Sequence, residues 1–226
     1  MLKHISIALL LTALLAAQTH TQPGPPQRRV QGNTITSTSD PAVRIELLNS
    51  PVYVGPAYVG SNRWILYGMA NCELHAFVQA DTRKKVQRLY WIQFESYLPT
   101  RPELHHTYDS PRHTQIGGLD FYVDTWVELT SGHIKPDSDV EHIHTLLETH
   151  GYKLPSAMMS VRLVHLLDEE KRKELMFIYS EDVASTGHTA SELGSGGPAQ
   201  DQWPKIEQGL VERAKKSIAI YPLSNP

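Results

Sequence analysis

The sequence predicts an α+β fold, a single domain built on an antiparallel sheet of at least five strands and covered on one face by helices that include a C-terminal one. Three observations carry this expectation. Strand-like segments follow one another as hairpins, two segments repeat apolar residues at helical spacing, and no β-α-β alternation links them.

The chain of 226 residues opens with Lys3 and His4 before an apolar run from Ile5 to Ala17. A bilayer span needs about 20 residues, so this run fits the core of a secretory signal better than a membrane helix. Residues 1–20 are therefore expected to be a cleaved signal peptide and the mature protein to be secreted or periplasmic, with no integral membrane segment. Residues 21–41, rich in Pro, Gln, Ser and Thr, read as a disordered leader. The globular domain is then expected over 42–222, beginning with the strand-like VRIELL near Ala42.

Arg63 to Gln79 and Val86 to Leu98 read as a hairpin around the basic turn Arg83, Lys84, Lys85 and Arg88. Leu119 to Leu129 alternates cleanly. Leu119, Phe121, Val123, Val127 and Leu129 face one way, while Asp120, Tyr122, Asp124, Trp126 and Glu128 face the other. Met158 to Leu167 and Glu174 to Glu181 form a second hairpin.

For the helices, Ser138 and Glu141 fit a capping box. Val140, Ile143, Leu147 and His150 then recur until Gly151 stops the run. Trp203, Ile206, Leu210, Ala214 and Ile218 mark the last helix, with Lys215 and Lys216 suited to its C-terminal dipole. Between the second hairpin and this helix, residues 184–202 are Gly- and Ser-rich and are expected to be a flexible loop.

Composition and charge narrow the function classes. At 40% hydrophobic and 20% charged residues the chain is neither wholly disordered nor polytopic. A net charge of −3 gives no basic surface to follow a phosphate backbone, so nucleic acid is not an expected partner. The lone Cys72 cannot form an internal disulfide and reads as a buried, inert thiol. The nucleophile-elbow, H-E-x-x-H and C-x-x-C signatures are absent.

Two constellations remain. If the apolar faces of the first hairpin coincide, its turn holds an odd number of residues and facing numbers sum to 166. His75 then opposes Trp91, Asn71 opposes Glu95, and Glu73 shares their face. Beside Asp120, Tyr122, Asp124 and Trp126 this makes an acidic and aromatic surface fit to bind a ligand, or simply the solvent side of a one-sided sheet. The second is the loop Pro99 to Gly118, where His105, His106, Asp109 and His113 are candidate metal ligands. Glu141 and His144 form a lone E-x-x-H step, and His165 reads as a core histidine.

The expected function is a non-catalytic exported module that binds a small molecule or a protein partner. The alternative is a metal-assisted hydrolase or lyase acting outside the cytoplasm through the His-rich loop. The residues specify no cofactor.

Overall fold

A computed structural model describes residues 28–57, 65–66 and 68–223. The expected signal peptide lies outside the described residues. In chain order the elements are β1 (Arg29–Gln31), β2 (Thr34–Thr38), β3 (Ala42–Leu47), β4 (Val52–Ala57), β5 (Ile65–Leu66), β6 (Ala70–Ala80), β7 (Val86–Tyr97), β8 (His113–Ile116) and β9 (Leu119–Leu129). These are followed by α1 (Asp139–Thr149), β10 (Ala157–Leu166), β11 (Lys173–Asp182), α2 (Ala190–Leu193), α3 (Trp203–Lys216) and β12 (Ile218–Pro222). They build two antiparallel sheets, so strand outweighs helix. The small sheet runs β1-β2-β3-β12, and the large one β4-β6-β7-β11-β10-β9-β8, with β5 paired to β6. No helix among the described residues is long and apolar enough to cross a membrane.

The large sheet is buried on both faces, which corrects the expectation of helices on one face only. On one side Phe77, Tyr90, Ile92, Phe121, Val161 and Phe177 pack against the small sheet (Ile35, Val43, Ile45, Leu47) and against Leu210 and Ala214 of α3. On the other, Leu74, Ala76, Trp91, Val164, Met176 and Ile178 pack against Ile143 and Leu147 of α1. Strands covered on both sides carry near-continuous apolar runs rather than clean alternation. β6 does so from Cys72 to Val78, apart from Glu73 and His75.

The first hairpin has the expected odd turn, since Ala80 opposes Val86 across residues 81–85. Asp81 Oδ1 shapes that turn by accepting the backbone N–H of Arg83 and of Lys85. One step further in, Gln79 opposes Arg88, so Gln87 is an extra residue on β7. This bulge moves every later pair from the expected sum of 166 to 167. His75 therefore faces Ile92, Trp91 faces Ala76, and Glu95 faces Cys72.

Two segments read as unstructured are built into the first core. Residues 29–38 form β1 and β2 because Ile35 and Ser37 alternate inward beside β-compatible threonines. Within 184–202, a 3-10 turn ends at Thr186. Thr189 and Glu192 cap α2, and Leu193 and Ala199 are buried. Here the Gly- and Ser-rich composition coincides with short helical turns. Helix α1 starts and stops as expected, with Ser138 accepting the N–H of Glu141, although Glu141 caps Asp137 rather than Ser138. Helix α3 starts at Trp203 as expected but ends at Lys216, and Ile218, expected on its apolar side, opens β12 instead.

The sheets meet closely at the β8–β9 turn. Gly117 and Gly118 both hold positive φ, as a two-residue hairpin requires. A Cβ on Gly117 would lie 2.0 Å from the Ile220 carbonyl of β12, whereas one on Gly118 would meet nothing within 4 Å. Both alanine substitutions carry the left-handed penalty of about 1–2 kcal/mol, but only Gly117→Ala also forces the sheets apart. Urea melts should show Gly117→Ala less stable than Gly118→Ala by ~2 kcal/mol or more. Equal losses would mean that the turn is not clamped against β12.

Candidate functional site

On the α1 side of the large sheet, the register stacks side chains in rows across β7, β11, β10 and β9. One row holds Leu89, Ser180, Ser160 and Trp126, and the next holds Trp91, Ile178, Arg162 and Asp124. A third row holds Gln93, Met176, Val164 and Tyr122. Beyond it Glu95 stands directly opposite Glu174. Leu89, Ser180 and Trp126 of the first row, Trp91, Ile178 and Arg162 of the second and Met176 of the third floor a cavity of about 380 Å³, walled by α1 and by residues of the segment 129–138. That volume suits a small molecule.

The cavity wall is mainly apolar. Trp91, Trp126, Met158, Met176 and Ile178 supply most of the floor, and Ile143 and Leu154 close over it. Its polar lining groups include Arg162, Asp139, Ser138, His144, Ser180, Glu128 and Lys135. Arg162 donates from Nε (3.2 Å) and Nη2 (2.6 Å) to Asp124 Oδ2, and its guanidinium lies 5.1 Å above the Tyr108 ring centre. Asp139, the first residue of α1, accepts the Val140 N–H at 2.9 Å, and burial pushes its carboxyl above the usual range. Burial likewise pushes the His144 imidazole down, favouring its neutral form on the cavity wall.

Beside the cavity lies a buried polar network. The Trp91 indole N–H donates to Gln93 Oε1 at 3.1 Å, and the Gln93 amide donates to Glu95 Oε2 at 2.7 Å. Tyr108 donates its hydroxyl to Glu174 Oε2 at 2.6 Å, and His106 Nδ1 lies 3.2 Å from the same oxygen. Burial, reinforced by the Glu174 charge, pushes Glu95 up to about 8. Burial also pushes Glu174 up to about 7, although the Tyr108 hydrogen bond and Arg162 oppose the rise. Burial takes the His106 imidazole down to about 4, so at neutral pH the ring is uncharged. Its buried Nε2 has no hydrogen-bond partner.

The structure thus divides the eight residues expected to line a ligand surface. Trp91 and Trp126 do line the cavity. Asp124 and Glu95 stand in the network behind it, and Tyr122 packs between Tyr108 and His113. Asp120 shares their face but pairs with His113 at 2.8 Å, near the sheet edge. Glu73 and His75 are on the opposite face because of the bulge. There His75 bridges Glu73 Oε1 (2.9 Å) and the Tyr53 hydroxyl (3.0 Å), and Arg28 pairs with Glu73 at 3.3 Å. Burial acts to raise the Glu73 carboxyl, but His75 and Arg28 prevail and hold it below the usual range. This relay fastens the start of the small sheet to β6.

The four expected metal ligands do not converge. His106 turns inward to Glu174 and His113 turns to Asp120, while His105 and Asp109 are exposed. Among the described residues no three His, Cys, Asp or Glu side chains are placed to hold a metal ion. Sequence reasoning missed Arg162, Asp139 and Glu174. The alternation Met158, Ser160, Arg162 on one side of a hairpin strand was the available signal.

The carboxyl pair fixes the sign of one pH dependence. Between the ordinary glutamate value near 4.5 and about 8, the folded protein holds protons that the unfolded chain releases. This contribution is therefore most favourable at low pH. It is lost progressively as pH rises through 7 and 8, then levels off. Glu95→Gln should stabilise the protein by ~1–3 kcal/mol at pH 8 and change little at pH 5. Denaturant melts at both values test this, and a pH-independent difference between variant and wild type would refute it. Compared with known protein families, curated proteins and solved structures, the chain matches none of them, so function is read from this geometry alone.

Proposed function

We propose that this protein is an exported, non-catalytic binding module whose cavity between α1 and the large sheet holds a small, mostly apolar ligand. The ligand's flat or branched apolar body packs on Trp91, Trp126, Met158 and Met176, and an uncharged hydrogen-bonding head meets Arg162 and Asp139. The observation that carries this reading is the cavity itself, a mainly apolar recess with polar groups, Arg162 and Asp139 among them, in its lining. Arg162 offers donors and Asp139 an acceptor, which together suit a hydroxyl or amide. Asp124 already offsets the Arg162 charge at 2.6 Å, so the site does not require a charged ligand. The paired acids Glu95 and Glu174 stand behind the cavity wall rather than on it, which supports binding over chemistry.

N-phenyl-1-naphthylamine, an uncharged fluorescent probe with an apolar body and one N–H donor, tests the reading. It should bind one-to-one and quench tryptophan emission by energy transfer. Trp91→Ala should weaken it by about 1–3 kcal/mol, as for other aromatic anchors. Ile178→Trp, which fills the floor, should abolish saturable binding. Undiminished binding to Ile178→Trp would exclude the cavity, and absence of saturable binding to the wild type would reject the proposal.

A further inference from the structure

The segment 99–112 crosses the sheet end beside the cavity as a strap, and its two ends are held differently from its middle. At the start, the Arg172 guanidinium donates to the carbonyls of Leu98, Arg101, Pro102 and Leu104 at 2.8–3.0 Å. At the finish, the Ser110 hydroxyl donates to the Val123 carbonyl and the Arg112 carbonyl accepts the Val123 N–H. None of these acceptors titrates. The middle is held by the Tyr108 hydroxyl donating to Glu174 Oε2, with His106 Nδ1 3.2 Å from the same oxygen, by one backbone bond from His106 to Lys171, and by ring contacts to Tyr97, Tyr122 and Arg162.

We propose that Glu95 and Glu174 together form a binding site for an exchangeable proton, and that this proton latches residues 105–109 of the strap, with Tyr108 stacked on Arg162 of the cavity lining. The inference rests on the cavity being the ligand site. Its geometric basis is the β7–β11 register, which sets Glu95 and Glu174 directly opposite one another in the ladder, Glu174 buried and Glu95 half-buried.

The groups facing the pair come from every element packed around it. β6 contributes the Cys72 thiol, a further partner of Glu95, and β7 contributes Tyr97 beside His106. From α1 comes Asp139, a third acid that acts on both carboxyls, and from β10 comes Arg162, already shared with Asp124 of β9. Arg172 acts on Tyr97, while His105 and Asp168 act on His106. The balance is acidic. Losing the first proton strengthens the Tyr108 bond, because a carboxylate is the better acceptor. Losing the second sets two charges near one another beside Asp139 in a site only partly open to water. The proton leaves to bulk solvent, and the site must then hydrate. The middle of the strap is the cover whose hold is a side-chain contact to the pair itself. Its lifting moves Tyr108 away from Arg162, loosening that side of the cavity lining.

Hydrogen exchange of residues 105–109, corrected for the intrinsic pH dependence of amide exchange, reads the latch directly. Between pH 6 and pH 9 the corrected exchange should accelerate by at least about tenfold in the wild type. It should not do so in the Glu95→Gln/Glu174→Gln double variant. Tyr108→Phe keeps both acids and should exchange quickly already at pH 6, which provides a test even if the double variant fails to fold. Affinity for N-phenyl-1-naphthylamine should fall roughly fivefold or more over the same pH range in the wild type alone. Unchanged corrected exchange in the wild type, or acceleration that persists in the double variant, would overturn the latch. Accelerated exchange with unchanged probe affinity would overturn its coupling to the cavity. A protein that binds no probe at either pH fails the ligand reading alone, and the exchange data still decide the latch.

Discussion

Because side chains alternate along a strand, one inserted residue decides which face every later residue joins. Gln87 is that residue in β7. Before the bulge Ala80 opposes Val86, and after it Gln79 opposes Arg88. The shift sends Trp91, Gln93 and Glu95 toward α1 and leaves Tyr90, Ile92 and Phe94 facing the small sheet. Without it the cavity would lack Trp91, and Glu95 would not stand with Cys72 and Glu174. The relay of Tyr53, His75, Glu73 and Arg28 depends on the same shift, since it places Glu73 against Phe94, over whose ring Arg28 lies at 4.4 Å.

Burial of the large sheet on both faces then explains why its polar residues are so thoroughly partnered. A polar group taken out of water costs free energy unless it is bonded, and a lone charge costs more. The two acidic clusters meet this demand in opposite ways. Glu73 has a cation and an imidazole within reach and stays ionised. Glu95 has an amide, a thiol and another carboxyl, so the neutral form is favoured instead. The same residue type in the same sheet thus takes a structural role on one face and a titratable one on the other. Position relative to the bulge decides which.

Much of this was legible in the residues, and the failures have physical causes. The hairpins, the starts of α1 and α3, the stop at Gly151 and the alternation of β9 follow from local chemistry, and all appear in the structure. The odd turn between β6 and β7 was also correct. The bulge was not legible, because Gln87 carries no Gly or Pro signal and is compatible with an ordinary strand. β1 and β2 were hidden by composition. Ile35 is the large apolar anchor in a Ser- and Thr-rich stretch, and its value depends on β3 lying beside it. The site divided along the same lines. Trp126 and Asp124 came from clean alternation, whereas Glu73 and His75 were misplaced by a register that only long-range pairing sets.

The strap shows how a histidine-rich loop can concern protons rather than metals. Three imidazoles close in sequence invite a metal reading, yet donors must converge to bind one, and these turn to different partners. His106 is the informative member. A buried imidazole with an unpartnered nitrogen is a cost that the fold tolerates. The same strap places the Tyr108 donor on a carboxyl whose charge depends on pH, while Arg172 fixes the strap through carbonyls whose charge does not. Hinges that ignore pH and a catch that responds to it are what separate a latch from a loop that is merely well packed.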